Sequence, residues 1–133
     1  MKPLIALVDD DGDFLDLERR ILETGGFRTA CWSEPRAAFT AIVNAGSGDR
    51  PAVLITDLMM SALDAGFSLA REVKTDPRCA GIAVIIVSAV SRQKGFDFHP
   101  RTAADLEAMA ADAWFDKPVA PDALVSRVKE LLG

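Results

Sequence analysis

The stretch Pro51-Ala-Val-Leu-Ile-Thr-Asp57-Leu-Met-Met60 decides the fold. Ala52 to Ile55 is an apolar, partly β-branched run of strand length, and it leads straight into a carboxylate at Asp57. Uninterrupted apolar strands are buried on both faces and belong to parallel sheets, where ligands bind outside the carboxyl ends of the strands. Asp57 is therefore predicted to project into the crevice where chemistry is done. Its partners must come from other strand ends.

Upstream, Leu4 to Val8 is a short apolar run that ends in Asp9-Asp10-Asp11-Gly12-Asp13, so a second buried strand also delivers carboxylates. From Asp13 the spacing turns helical: Phe14, Leu17, Ile21 and Leu22 fall on one face, and Glu18, Arg19 and Arg20 mostly on the other, until Gly25-Gly26. Phe27 to Trp32 reads as an edge strand, since it carries Arg28 and Thr29. Ser33 is placed to cap a helix with Pro35 in its first turn and Ala38, Phe39, Ile42 and Val43 as its buried stripe. Trp32 and Phe39 read as core residues.

Downstream, residues 60–66 form a loop before a helical stripe of Phe67, Leu69, Ala70 and Val73, which Asp76-Pro77 terminates. Ile82 to Val87 is the most uniformly apolar run and reads as a central strand ending at Ser88. A long loop over residues 90–101 leads to a helix from about Thr102 to Ala110. A short strand, Ala113 to Asp116, precedes Lys117-Pro118, and a last helix runs from Pro121 with Leu124, Val125, Val128, Leu131 and Leu132 at helical spacing. Five βα units in succession demand right-handed crossovers. The fold class is α/β: a doubly wound five-stranded parallel sheet of the flavodoxin-like order 2-1-3-4-5, with its switch point between strands 1 and 3.

The totals agree with one domain over residues 1–133. Apolar residues make up 50% and charged residues 26%, and no window approaches the roughly 18 uncharged residues of a membrane span. The N-terminal apolar run is too short for a signal peptide, so a cytoplasmic location is expected. In that compartment Cys31 and Cys79 are thiols rather than a disulfide. A net charge of −5, from 15 basic and 20 acidic side chains, speaks against a nucleic-acid surface, and no membrane contact is expected.

Four strand ends thus supply Asp9 with Asp10, Asp57, Ser88 and Lys117. Clustered carboxylates raise one another's pKa unless a divalent cation neutralises them, and a hard, oxygen-seeking ion, Mg²⁺ or alternatively Mn²⁺, suits this set. A lysine ammonium and a hydroxyl can bind the remaining oxygens of a phosphoryl group as charge redistributes. One carboxylate is then the nucleophile. Asp57 is the candidate, because it stands alone at its strand end while Asp9 and Asp10 hold the ion.

These residues resemble a response-regulator receiver domain of two-component signalling, over essentially the whole chain from Pro3 to Leu132. The resemblance rests on Val8-Asp9-Asp10-Asp11, Ile55-Thr-Asp57-Leu-Met-Met60, Ser88-Ala89 and Lys117-Pro118, in this order and on these elements. It implies that Asp57 accepts phosphate from a histidine kinase or histidine phosphotransfer protein. It implies that Asp10 binds Mg²⁺ directly, that Asp9 acts partly through water, and that the backbone carbonyl of Met59 completes the ligands. It also implies a switch, in which the Ser88 hydroxyl moves to the phosphoryl group and the aromatic at Trp114 moves inward, remodelling a protein-binding face. The bond before Pro118 is cis in such domains. In such domains the positions of Met59 and Val90 tune attack by water, and both residues are apolar, so the resemblance implies slow autodephosphorylation.

Bland readings of the single residues are that Asp11 and Asp13 are charges at a helix N-terminus and that His99 is an exposed loop histidine. The reading reached is a stand-alone receiver, monomeric or weakly dimeric, that is not itself an enzyme and acts on a downstream protein. Two rivals stand beside it. Asp9-Asp10-Asp11-Gly12-Asp13 offers the start of a haloacid dehalogenase-like phosphatase, which would put the phosphoryl group on Asp9. A degenerate receiver would bind partners with no phosphorylation. A flavodoxin-like FMN carrier shares the sheet order but would need a Gly/Ser/Thr-rich phosphate loop after strand 1.

Overall fold

The structure is a computed structural model and describes residues 2–46, 49–57, 65–88, 111–117 and 119–133, with the side chains of 65–68 and 88 outside that set. Five parallel strands form one sheet in the order β2-β1-β3-β4-β5: β1 (Leu4–Val8), β2 (Arg28–Trp32), β3 (Val53–Asp57), β4 (Ala83–Ser88) and β5 (Ala113–Asp116). Register is continuous across it, with Val8 opposite both Trp32 and Thr56, Asp57 opposite Val87, and Ser88 opposite Asp116. The predicted order and parallel pairing are both realised, and β2 is at the edge as expected.

Side chains alternate between the two faces of a strand, and this period sorts the core into two layers. Even-numbered Ala6, Val8, Leu54, Val84 and Ile86 pack with α2 (Pro35–Asn44) and α3 (Ala65–Thr75), and Trp114 lies against this layer. Odd-numbered Ile5, Leu7, Val53, Ile55, Ile85, Val87 and Ala113 pack with α1 (Gly12–Thr24) and α4 (Pro121–Leu132). Strands covered on both faces must be apolar throughout, which is why β1, β3 and β4 carry hardly any polar residue before their last position. The helix expected over 102–110, the 90–101 loop and the bond before Pro118 lie outside the described residues.

Helix ends follow local chemistry. The Asp11 side chain caps α1, accepting the backbone N–H of Asp13 at 3.1 Å and of Phe14 at 3.2 Å, and Gly26 turns the chain at φ 98° after it. Asp76 ends α3 and caps a short 3₁₀ turn, Pro77–Cys79. The sequence assigned the α2 cap to Ser33; the N-cap is Glu34, with no side-chain cap bond, because Pro35 opens the helix one residue further on. Both cysteines are free thiols. No described helix is long and apolar enough to cross a membrane.

The phase of α1 corrects the sequence reading. Leu17, placed on the buried face, is 47% exposed, whereas Glu18, placed on the polar face, is 1% exposed. The stripe that meets the sheet is Phe14, Leu15, Glu18, Ile21 and Leu22, rotated about one residue from the predicted one.

Candidate functional site

The parity that sorts the core also assembles the site. Asp9 continues the odd series Ile5, Leu7; Asp57 continues Val53, Ile55; Lys117 continues Ala113, Phe115. All three therefore emerge on the α1/α4 face at the carboxyl rim of the sheet.

There the Lys117 ammonium lies 2.9 Å from an Asp9 oxygen (Oδ2) and 3.3 Å from an Asp57 oxygen (Oδ2). The other Asp9 oxygen accepts the Asp11 backbone N–H at 2.9 Å. Asp9 is buried, Asp57 is 8% exposed, and Asp10 is open to solvent. Asp9, Asp10 and Asp57 each offer a carboxylate oxygen, and these three atoms lie within 4.8 Å of one another. Hard oxygen donors at this spacing, two from buried residues and one facing water, fit a small divalent cation that keeps part of its hydration shell.

The electrostatics follow from desolvation against pairing. Burial pushes the Asp9 carboxyl above its ordinary value, against the Asp11 N–H and Lys117, which favour the charged form. Burial alone would lower Lys117; its bond to Asp9 and the charge of Asp57 outweigh that, so the ammonium is held above the ordinary lysine value. Lys117 thus stays a cation that contacts two of the three acids and offsets one of their charges.

Two α1 residues that the sequence reading gave to other roles face this cluster. The Phe14 ring lies under the Lys117 ammonium, 4.2 Å from ring centroid to nitrogen. One turn further on, Glu18 has an oxygen (Oε2) with no hydrogen-bond partner among the described residues. Burial, followed by the negative charge of Asp9, pushes its carboxyl up to about 8, with Lys117 opposing and Asp57 adding to the rise. Glu18 is therefore held neutral at neutral pH. No apolar-pattern signal could have found it, because a glutamate in a helix reads as solvent-facing.

Of the predicted site residues, the structure brings together Asp9, Asp10, Asp57 and Lys117. Ser88 ends β4 beside Asp116, and its side chain lies outside the described set, as does all of Met59. Trp114 lies on the opposite face of the sheet from Lys117, where its indole N–H donates to Asp116 Oδ1 at 3.1 Å.

Comparison with known proteins places this geometry. The response regulator receiver domain family matches residues 5–129. The chain is 30% identical over 128 residues to the transcriptional regulatory protein GltR of Pseudomonas aeruginosa, covering 96% of this chain and 48% of that protein. It is 27% identical over 132 residues to the DNA-binding response regulator MtrA of Mycobacterium tuberculosis, covering 99% and 51%. The chain thus spans about half the length of these curated relatives. In fold it is similar to the chemotaxis response regulator CheY4 of Vibrio cholerae, with a TM-score of 0.79 at 18% identity over 98% of this chain and 99% of that one. It is likewise similar to a CheY-like receiver domain protein of Methanospirillum hungatei, with a TM-score of 0.74 at 24% identity over 99% and 94%. With the 2-1-3-4-5 sheet and the acid cluster at its rim, a match over nearly the whole succession of strands and helices makes this chain a member of the response regulator receiver domain family.

Proposed function

We propose that Asp57 is the phosphoacceptor of a two-component or phosphorelay system, charged by a histidine kinase or histidine phosphotransfer protein with Mg²⁺ at the Asp9, Asp10 and Asp57 oxygens and the Met59 carbonyl. The observation that carries the reading is that one Lys117 ammonium lies between Asp57 and a buried Asp9, with Asp10 beside them. In the transfer an Asp57 oxygen attacks phosphorus, and an O–P bond forms as the P–N bond to the donor imidazole breaks, its electron pair passing to nitrogen. Lys117 binds phosphoryl oxygens as their charge redistributes. The bound cation supplies the positive charge that lets a carboxylate approach an anionic phosphoryl group.

Asp9 is a poor rival nucleophile, since it is 1% exposed with one oxygen on the Asp11 N–H and the other on Lys117. That disfavours the phosphatase reading. The output is a changed protein-binding face, with the Ser88 hydroxyl and Trp114 carrying the switch; the chain acts in the cytoplasm as a monomer or weak dimer, on a downstream protein.

Intact-mass spectrometry after acetyl phosphate treatment tests the reading. One added phosphoryl group is expected on the wild type with Mg²⁺, little without it, and none on Asp57→Asn. An unmodified wild type, or an Asp57→Asn protein that still gains the group, overturns it.

A further inference from the structure

Lys117 follows a four-residue strand, and a lysine side chain is flexible, with much rotamer freedom to lose. Its reach to Asp9 and Asp57 has to be fixed by something besides its own backbone. The residue after β1 and the first turn of α1 both contact it. Asp9 supplies an oxygen at 2.9 Å; five residues later, Phe14 supplies the face of its ring at 4.2 Å. The two are tied together by the turn itself. Asp9 accepts the Asp11 N–H, and the Asp11 side chain in turn accepts the Phe14 N–H, so two hydrogen bonds through Asp11 link the backbone that carries the ring to the buried acid. The Lys117 side chain is only 16% exposed, a setting in which the pull of a ring face on a cation is least screened by water.

We propose that Phe14 is a positioning residue for Lys117: its ring face holds the ammonium at the mouth of the acid cluster, so that the cation is in place before a phosphoryl group arrives. The proposal rests on the phosphoacceptor reading of Asp57 for its consequence, though not for the contact itself. An aliphatic side chain of similar size fills the same volume in the α1/α4 layer but offers no negative ring face. The electronic character of the residue, beyond its bulk, is what matters.

Three variants of the full chain separate these contributions: Phe14→Leu, Phe14→Tyr, and pentafluorophenylalanine at position 14, which keeps the ring's shape and reverses its charge pattern. Two readouts are taken on each. One is competitive acylation of the Lys117 amine, located by peptide mass spectrometry, which rises as the ammonium is less well held. The other is the rate of Asp57 phosphorylation by acetyl phosphate with Mg²⁺. In the Leu and pentafluoro variants, Lys117 acylation is expected to rise about three- to tenfold and the phosphorylation rate to fall by a similar factor, with Tyr close to wild type. A pentafluoro variant that matches wild type in acylation makes Phe14 a space-filler and overturns the proposal, even if Phe14→Leu fails to fold. A wild type that takes no phosphoryl group sinks the Asp57 reading alone, because acylation still decides whether the ring holds the lysine.

Discussion

Lys117 sets its ammonium 2.9 Å from an oxygen of Asp9, a residue only 1% exposed. A buried carboxylate without a partner is costly, so the lysine at the end of the fifth strand is as much a structural counter-ion as a binding group. The cation of the proposed mechanism and the amine of Lys117 address the same acids, and the balance of charge at the rim depends on both.

Lys117→Met keeps the length of the side chain and deletes its charge. It is expected to lower stability by about 3 kcal/mol, the low end for breaking a buried pair, because Lys117 keeps some exposure. Mg²⁺ should restore part of the loss by taking over the counter-charge. Urea unfolding with and without the ion reads both effects, and an unchanged midpoint in the absence of Mg²⁺ would contradict the pairing.

Glu18 ties stability to pH. Its carboxyl titrates at about 8 in the folded chain against an ordinary 4.5, so between those values the folded state binds a proton that the unfolded state has released. Stability from this group is complete below pH 4.5 and is lost as pH rises to 8, by on the order of 4 kcal/mol. Asp9, also raised, pulls in the same direction, so a variant is needed to isolate Glu18. Glu18→Leu is expected to exceed wild type in stability by an amount that grows across this window. Denaturant titrations at its two ends check this, and a constant difference would mean that Glu18 is not buried neutral.

Gly25, the residue that ends α1, lies against Val125 of α4. A Cβ there would meet the two Val125 methyl carbons at 3.0 and 3.1 Å, although its backbone is ordinary helical at φ −76°. Gly25→Ala is expected to cost about 1 kcal/mol from overpacking, and the added Val125→Ala should recover part of that cost. Additive losses in the double variant, measured by thermal unfolding, would place the cost elsewhere.

The sheet was legible because strands buried on both faces have to be written as unbroken apolar runs, and β1, β3 and β4 each ended on or just before a polar residue. Asp9, Asp57 and Lys117 sit at strand ends, so their convergence followed once the strand order was read; their shared parity is what the structure adds. Helix α1 was harder. The stripe read from its spacing and the stripe that is buried differ by a rotation of about one residue, and the residue that breaks the tie is a glutamate facing acids at the ends of strands. Sequence periodicity assumes that charge means water, and Glu18 violates that assumption through tertiary contact alone. Phe14 was read onto the apolar face of α1 and lies there; its proposed second role needed the position of a lysine 103 residues away in the chain.

The central claim is that the labile phosphoryl bond forms on the third strand's carboxylate and not on the first's. Borohydride converts an acyl phosphate to the alcohol, leaving homoserine in place of the aspartate that carried it, and peptide sequencing by mass spectrometry then finds its position. After phosphodonor treatment with Mg²⁺, homoserine is expected at position 57 and at no other aspartate. Homoserine at position 9, or at none, would contradict the account.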